Sequence, residues 1–244
     1  MRQTLFLLSN STVFGRQYLE HALAGLQDFL GEERSVLFVP YALANYDGYT
    51  AHTQAALVPL GVVVRGVHTF SDPRQAVTEA RILYVGGGNS FRLLKTLQQH
   101  QLVTLVRERV EAGELRYIGA SAGTNMACPS LRTTNDMPIV QPLSFEALGL
   151  LPFQINPHYL DPDPSSTHQG ETRAHRIAEF LEENDVAVLG MREGSWLHRK
   201  GPALRLEGVA GARLFMRSVE PQEIPPGTDL SWLLKAPAQF DQRM

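Results

Sequence analysis

The segment Leu115-Arg-Tyr-Ile-Gly-Ala-Ser121-Ala-Gly123 admits few folds. An apolar, strand-like run ends in Gly-x-Ser-x-Gly, and small residues with helical character follow. A serine at that position sits on a sharp strand-to-helix turn, with its hydroxyl presented above the end of a sheet. The turn brings chains close together, so its neighbours must be small: Gly119 and Gly123 carry no Cβ, and Ala120 and Ala122 only a methyl. The following helix directs its positive end toward negative charge that develops at the serine.

The chain around this turn alternates between two periodicities. Apolar runs at 4–8, 35–39, 61–67, 81–85 and 115–118 read as strands. Stretches at 18–30, 50–60, 91–97 and 102–111 have helical spacing. Such alternation, with strands apolar on both faces, predicts an α/β fold: a mostly parallel sheet with helices on both sides. Ligands of open sheets bind beyond the carboxyl ends of the strands. Both Gly86-Gly-Gly-Asn89 and Ser121 fall on that rim. The second half differs. Residues 135–164 read as loop, 172–183 as a helix, 186–189 as a strand and 195–216 as antiparallel hairpins. The tail from 219 carries Pro221, Pro225, Pro226 and Pro237 and is expected to be irregular. One domain over 1–244 is expected, with no repeat or linker.

Composition excludes several classes. A net charge of -3 leaves no basic footprint for nucleic acid. Cys128 is the single cysteine, so no disulfide forms within the chain. The apolar run at the N-terminus is too short for a signal peptide, and none approaches the ~20 residues of a membrane span. The expected compartment is the cytoplasm.

Ser121 needs a base. His158, in Asn156-Pro-His158, lies in a loop stiffened by Pro157 and is the candidate. The bland alternative is a histidine that only binds loop carbonyls. A third group must hold the imidazole. Glu193 leaves a strand at the rim, whereas Asp136 lies in Arg132-Thr-Thr-Asn-Asp-Met-Pro138; either carboxylate could also be a plain turn acid. The Gly86–Gly88 turn offers N–H groups to an oxyanion, with the Ala122 N–H as second donor; a phosphate cradle and a simple tight turn are the alternatives. Arg173 opens a helix, where its charge opposes the dipole and invites an anion; a salt bridge to Glu171 is the bland reading. His158, Asp161 and Asp163, or His168 and His175, match no metal-ligand spacing, so no metal or cofactor is expected.

These segments, with Gly86-Gly-Gly-Asn89 and Gly170-Glu-Thr-Arg173, together resemble the peptidase E family of α-aspartyl dipeptidases, over about residues 80–195. The resemblance implies a serine peptidase of glutamine-amidotransferase-like fold, a flavodoxin-like α/β arrangement, acting on Asp-Xaa dipeptides. It implies Ser121 as nucleophile, His158 as base, Glu193 or Asp136 as third member, and Arg173 as a substrate-binding residue; Gly88 and Ala122 are the expected oxyanion donors, and Asn89, in the matching glycine segment, is a further expected substrate-binding residue. Arg173 would take the aspartyl carboxylate. Ala120 and Thr124 depart from the family, which commonly has tryptophan and alanine there. A monomer or homodimer is expected. The rivals are a cyanophycinase-like hydrolase of β-aspartyl links and a binding protein without turnover.

Overall fold

The computed structural model describes residues 3–163, 165, 167 and 170–242. The strands are β1 (Thr4–Leu8), β2 (Ser35–Val39), β3 (Val63–Gly66), β4 (Ile82–Val85), β5 (Arg116–Ala120), β6 (Gln154–Asn156), β7 (Asp185–Val186), β8 (Val188–Met191), β9 (Ser195–Lys200), β10 (Ala203–Gly208), β11 (Ala212–Met216), β12 (Val219–Ile224) and β13 (Ala238–Gln239). The α-helices are α1 (Leu23–Leu30), α2 (Tyr46–Leu57), α3 (Pro73–Glu79), α4 (Ser90–Gln99), α5 (Leu102–Ala112), α6 (Ala122–Met126) and α7 (Arg173–Glu183).

The main sheet runs β10-β9-β1-β5-β4-β2-β3. Its β1, β5, β4, β2 and β3 are parallel, and the β9–β10 hairpin adds antiparallel to β1. Successive strand residues enter opposite layers, as a period of two requires. Leu5 and Leu7 join one core with Leu83, Leu93 and Val106, while Phe6 and Leu8 join the other with Leu26, Phe38 and Tyr84. Both faces are thus covered, as the near-continuous apolar strands predict. A second sheet, β12-β11-β8-β6, packs through Ile155, Leu189 and Met191 into the first core.

Several boundaries differ from the sequence-based expectation. The helix expected over 18–30 starts only at Leu23, because Leu19 is buried at φ 61°, which breaks the helical path. The helix expected at 50–60 spans Tyr46–Leu57, since the Asn45 side chain accepts the Gly48 N–H and caps it earlier. Helix α3 escapes notice because it buries only Ala76 and Val77; its signal is the Asp72 cap followed by Pro73. Strand β6 emerges inside the expected loop 135–164.

The tail from 219 is not irregular as expected. Val219–Ile224 pairs antiparallel with β11, and Ala238–Gln239 pairs with β7. Pro221 is tolerated because β12 is an edge strand and its register shifts between Leu214 and Met216, next to where Pro221 would pair.

Candidate active site

Ser121 has φ 52° and ψ −110°, a strained backbone held between β5 and α6. Such a conformation persists only where its surroundings over-determine it. Here its N–H donates to the Leu8 carbonyl (3.1 Å), and its carbonyl accepts from the N–H groups of Thr124 (2.9 Å) and Asn125 (3.0 Å). The Thr124 hydroxyl also donates to Leu8 O (2.6 Å), tying the helix to β1. A Cβ on Gly119 would lie 2.6 Å from Gly123 O, and one on Gly123 would lie 2.0 Å from Val85 O. The two departures from the family pattern stand behind the cavity wall rather than in it. Ala120 packs in the core beside Tyr84 and Ile118, the Thr124 hydroxyl is engaged with β1, and neither lines the cavity that holds Ser121.

His158 Nε2 lies 2.9 Å from Ser121 Oγ, and His158 Nδ1 lies 2.7 Å from Glu193 Oε1. A carboxylate only accepts, so Nδ1 carries the proton toward Glu193 and Nε2 is free to accept from the serine hydroxyl. His158 has φ 52°; its N–H donates to Ser9 Oγ (2.9 Å), whose hydroxyl donates to Met191 O (2.8 Å). Asn10 Oδ1 accepts the Gly194 N–H (2.8 Å) and fixes the turn that carries Glu193. Sequence reasoning missed Ser9 and Asn10. Their signal is position: two polar residues directly after a parallel strand stand on the rim where sites form.

Asp136 lines the same cavity but does not contact the imidazole. Its Oδ2 accepts the Ser90 N–H (2.7 Å) and Ser90 Oγ–H (2.6 Å), and no hydrogen bond joins it to His158 among the described residues. The neighbouring Asn135 donates to Pro157 O (2.7 Å), so this loop braces the histidine segment. Asn89 falls outside the residues lining the cavity. Its side chain accepts the Arg92 N–H to cap α4 and donates to Met137 O (2.9 Å), which shapes the loop rather than facing a ligand.

The glycine turn passes against the serine: a Cβ on Gly87 would stand 3.1 Å from Ser121 Cβ. Its three N–H groups do not converge. Gly86 donates to Val39 O and Gly87 faces the Tyr49 hydroxyl. Among the described residues the Gly88 and Ala122 N–H groups have no hydrogen-bond acceptor. That pattern suits a two-donor oxyanion site better than a phosphate cradle, which needs several parallel donors.

A cavity of about 650 Å³ joins Ser121, His158 and Glu193 to Asn125, Asp136, Asp161, Arg173 and Arg192. Arg173 makes no ion pair among the described residues. Glu171 pairs instead with Arg176 (3.4 Å), so the bland reading of Arg173 does not apply. Burial lowers the Arg173 pKa, as does the nearby Arg176 charge, while Asp136 opposes the shift. An unpaired, partly desolvated guanidinium is a demand for an anion. Cys128 offers no rival nucleophile, because burial pushes its thiol up to about 12. Among the described residues no group of three His, Cys, Asp or Glu is placed to hold a metal; His168 lies outside them.

A strained serine, an imidazole and a carboxylate in series, on the rim of an α/β sheet, are equipped for acyl transfer through a serine ester. The model of peptidase family S51 matches residues 5–206. A peptidase E of Streptomyces coelicolor is 59% identical over 97% of each chain. A probable alpha-aspartyl dipeptidase of Drosophila melanogaster is 47% identical, covering 96% of this chain and 98% of its own. A solved putative peptidase E from Listeria monocytogenes superposes with a TM-score of 0.66 at 22% identity, over 86% of this chain and all of that one, a likeness of fold. The chain belongs to peptidase family S51, and it is a serine-type peptidase. No helix among the described residues is long and apolar enough to cross a membrane.

Proposed function

We propose that the protein is a dipeptidase that releases N-terminal aspartate from Asp-Xaa. Ser121 Oγ attacks the peptide carbonyl while His158 Nε2 takes its proton, and Glu193 supports the imidazolium. The Gly88 and Ala122 N–H groups hold the oxyanion. On collapse His158 returns the proton to the departing amine, and an aspartyl ester remains on Ser121. Water, deprotonated by His158, then cleaves that ester and frees aspartate.

The observation that carries the aspartate preference is the Arg173 guanidinium, which makes no ion pair among the described residues and lines the same cavity as Ser121. It is matched to the substrate's side-chain carboxylate. Of the cavity's carboxylates, Glu193 is bonded to His158 and Asp161 to Arg192, whereas Asp136 feels the Arg173 charge but forms no salt bridge among the described residues. Its Oδ1 is available for the substrate's α-ammonium. A cation and an anion in one cavity then read the two charges of an N-terminal aspartate.

Arg173→Met should lower kcat/KM on Asp-Leu by about 2–3 kcal/mol, roughly 30- to 150-fold, since it removes a charged, partly buried contact. Any slow turnover of Ala-Leu should be left alone. Steady-state kinetics on both dipeptides checks this; equal losses on both would remove Arg173 from aspartate recognition.

A further inference from the structure

The turn that carries Glu193 also carries Arg192, and Arg192 is the best-anchored guanidinium near the site. Its Nε and Nη2 donate to Asp161 at 2.6 and 3.0 Å, and its Nη1 and Nη2 donate to Glu223 at 2.9 and 3.1 Å. Each carboxylate is gripped through both oxygens, a geometry that sets orientation as well as distance. Arg213 of β11 completes a ring with the same two acids, at 3.8 Å from Asp161 and 3.6 Å from Glu223.

The three segments joined here matter more than the charges. Asp161 lies three residues beyond His158, and Arg192 directly precedes Glu193. Glu223 comes from the edge strand β12, in the tail. A main-chain bond from Tyr159 N–H to Met191 O (2.9 Å) links the histidine and glutamate segments on one side, and the arginine links them on the other. His158 and Glu193 have side chains 40% and 52% exposed, so packing alone does not hold them.

We propose that Arg192 is a positioning residue: by gripping Asp161 and Glu223 it keeps His158 and Glu193 in register, which makes strand β12 part of the catalytic apparatus. The proposal rests on the serine–histidine–glutamate reading above, but not on the choice of substrate. The members of the clamp are partly exposed, so solvent screening limits what each pair adds to stability, although the bidentate, networked geometry retains more than a single surface pair would. The clamp's effect is on placement, where an error of 1 Å costs about 10²-fold in rate.

The test compares Arg192→Lys, which keeps the charge and loses the planar fork, with Glu223→Gln, whose side chain grips Arg192 from outside the cavity lining. Three quantities are measured for each: kcat and KM on Asp-Leu, the rate at which a small fluorophosphonate labels Ser121, and the thermal midpoint. Arg192→Lys should lower kcat roughly 10- to 100-fold, leave KM within about threefold, and slow labelling by the same factor as kcat. Glu223→Gln should move kcat and labelling in the same direction by roughly 3- to 10-fold. A raised KM with unchanged kcat and labelling would make Arg192 a substrate contact and overturn the proposal. Wild-type rates in both variants would reduce the clamp to a surface ion network. If Arg192→Lys does not fold, wild-type rates in Glu223→Gln still overturn it. If the wild type is labelled but leaves Asp-Leu intact, the aspartate reading fails, while the labelling rates still decide the clamp.

Discussion

Glu193→Gln is expected to lower kcat on Asp-Leu by three to four orders of magnitude, on the order of the loss seen when a triad acid becomes an amide. The cause is the tautomer. Glu193 accepts from His158 Nδ1 at 2.7 Å, which leaves Nε2 bare to accept the proton of Ser121 Oγ, 2.9 Å away. A glutamine can present its N–H to Nδ1 instead, so the proton moves to Nε2 and the imidazole becomes a donor to the serine. The fold should be intact, since the side chain is half-exposed and buries no core contact. Asp136→Asn should behave differently. Asp136 is bonded to Ser90 and lines the cavity rather than contacting His158, so on the proposed reading the loss should fall mainly on kcat/KM for Asp-Leu, with fluorophosphonate labelling of Ser121 retained. Near-full activity of Glu193→Gln, with loss of labelling in Asp136→Asn, would exchange the two roles.

The largest effect on stability is expected at Gly123. A Cβ there would stand 2.0 Å from Val85 O and 2.8 Å from Val85 C. Neither atom can step aside, because β4 is hydrogen-bonded to a parallel neighbour on each side. The Gly123 carbonyl is in turn held by the buried Tyr117 hydroxyl at 2.6 Å. Relief would require α6 to lift from the sheet, taking Ser121 with it. Gly123→Ala should therefore cost about 4 kcal/mol or more, at the far end of the range for single substitutions. For a chain of this size the midpoint of thermal unfolding should fall by roughly 10 °C or more. Differential scanning calorimetry checks this, and a midpoint within about 2 °C of wild type would show that the elbow can relax.

Much of the site is legible in the amino-acid sequence. Ser121, His158 and Glu193 each follow a strand or stand in a stiff loop, and an open α/β sheet gathers such residues on one rim. What the sequence does not show is long-range pairing. Nothing local marks Asp136 as the partner of Ser90, 46 residues away, rather than of His158. Asn89 lies in a motif suggestive of ligand binding, yet its position before Ser90-Phe-Arg92 is that of a helix cap, and the cap prevails. The tail looks irregular because of its prolines, but an edge strand with a register shift accommodates Pro221. Glu223 therefore reaches Arg192 unannounced. The second sheet is hidden in part for a similar reason: the run at 186–189 announces β8, but β6 is three residues long, too short for periodicity to register, and nothing local pairs it with β8.

The central claim is tested most directly by amino-acid release from α-Asp-Leu, β-Asp-Leu, Ala-Leu and Asp-Leu-Gly, with wild type and Ser121→Ala side by side. The account predicts rapid cleavage of α-Asp-Leu, little of the other three, and loss of all of it in the mutant. Preferred cleavage of β-Asp-Leu would contradict it in favour of a β-aspartyl hydrolase. No cleavage of any of the four by folded wild type would contradict the dipeptidase itself.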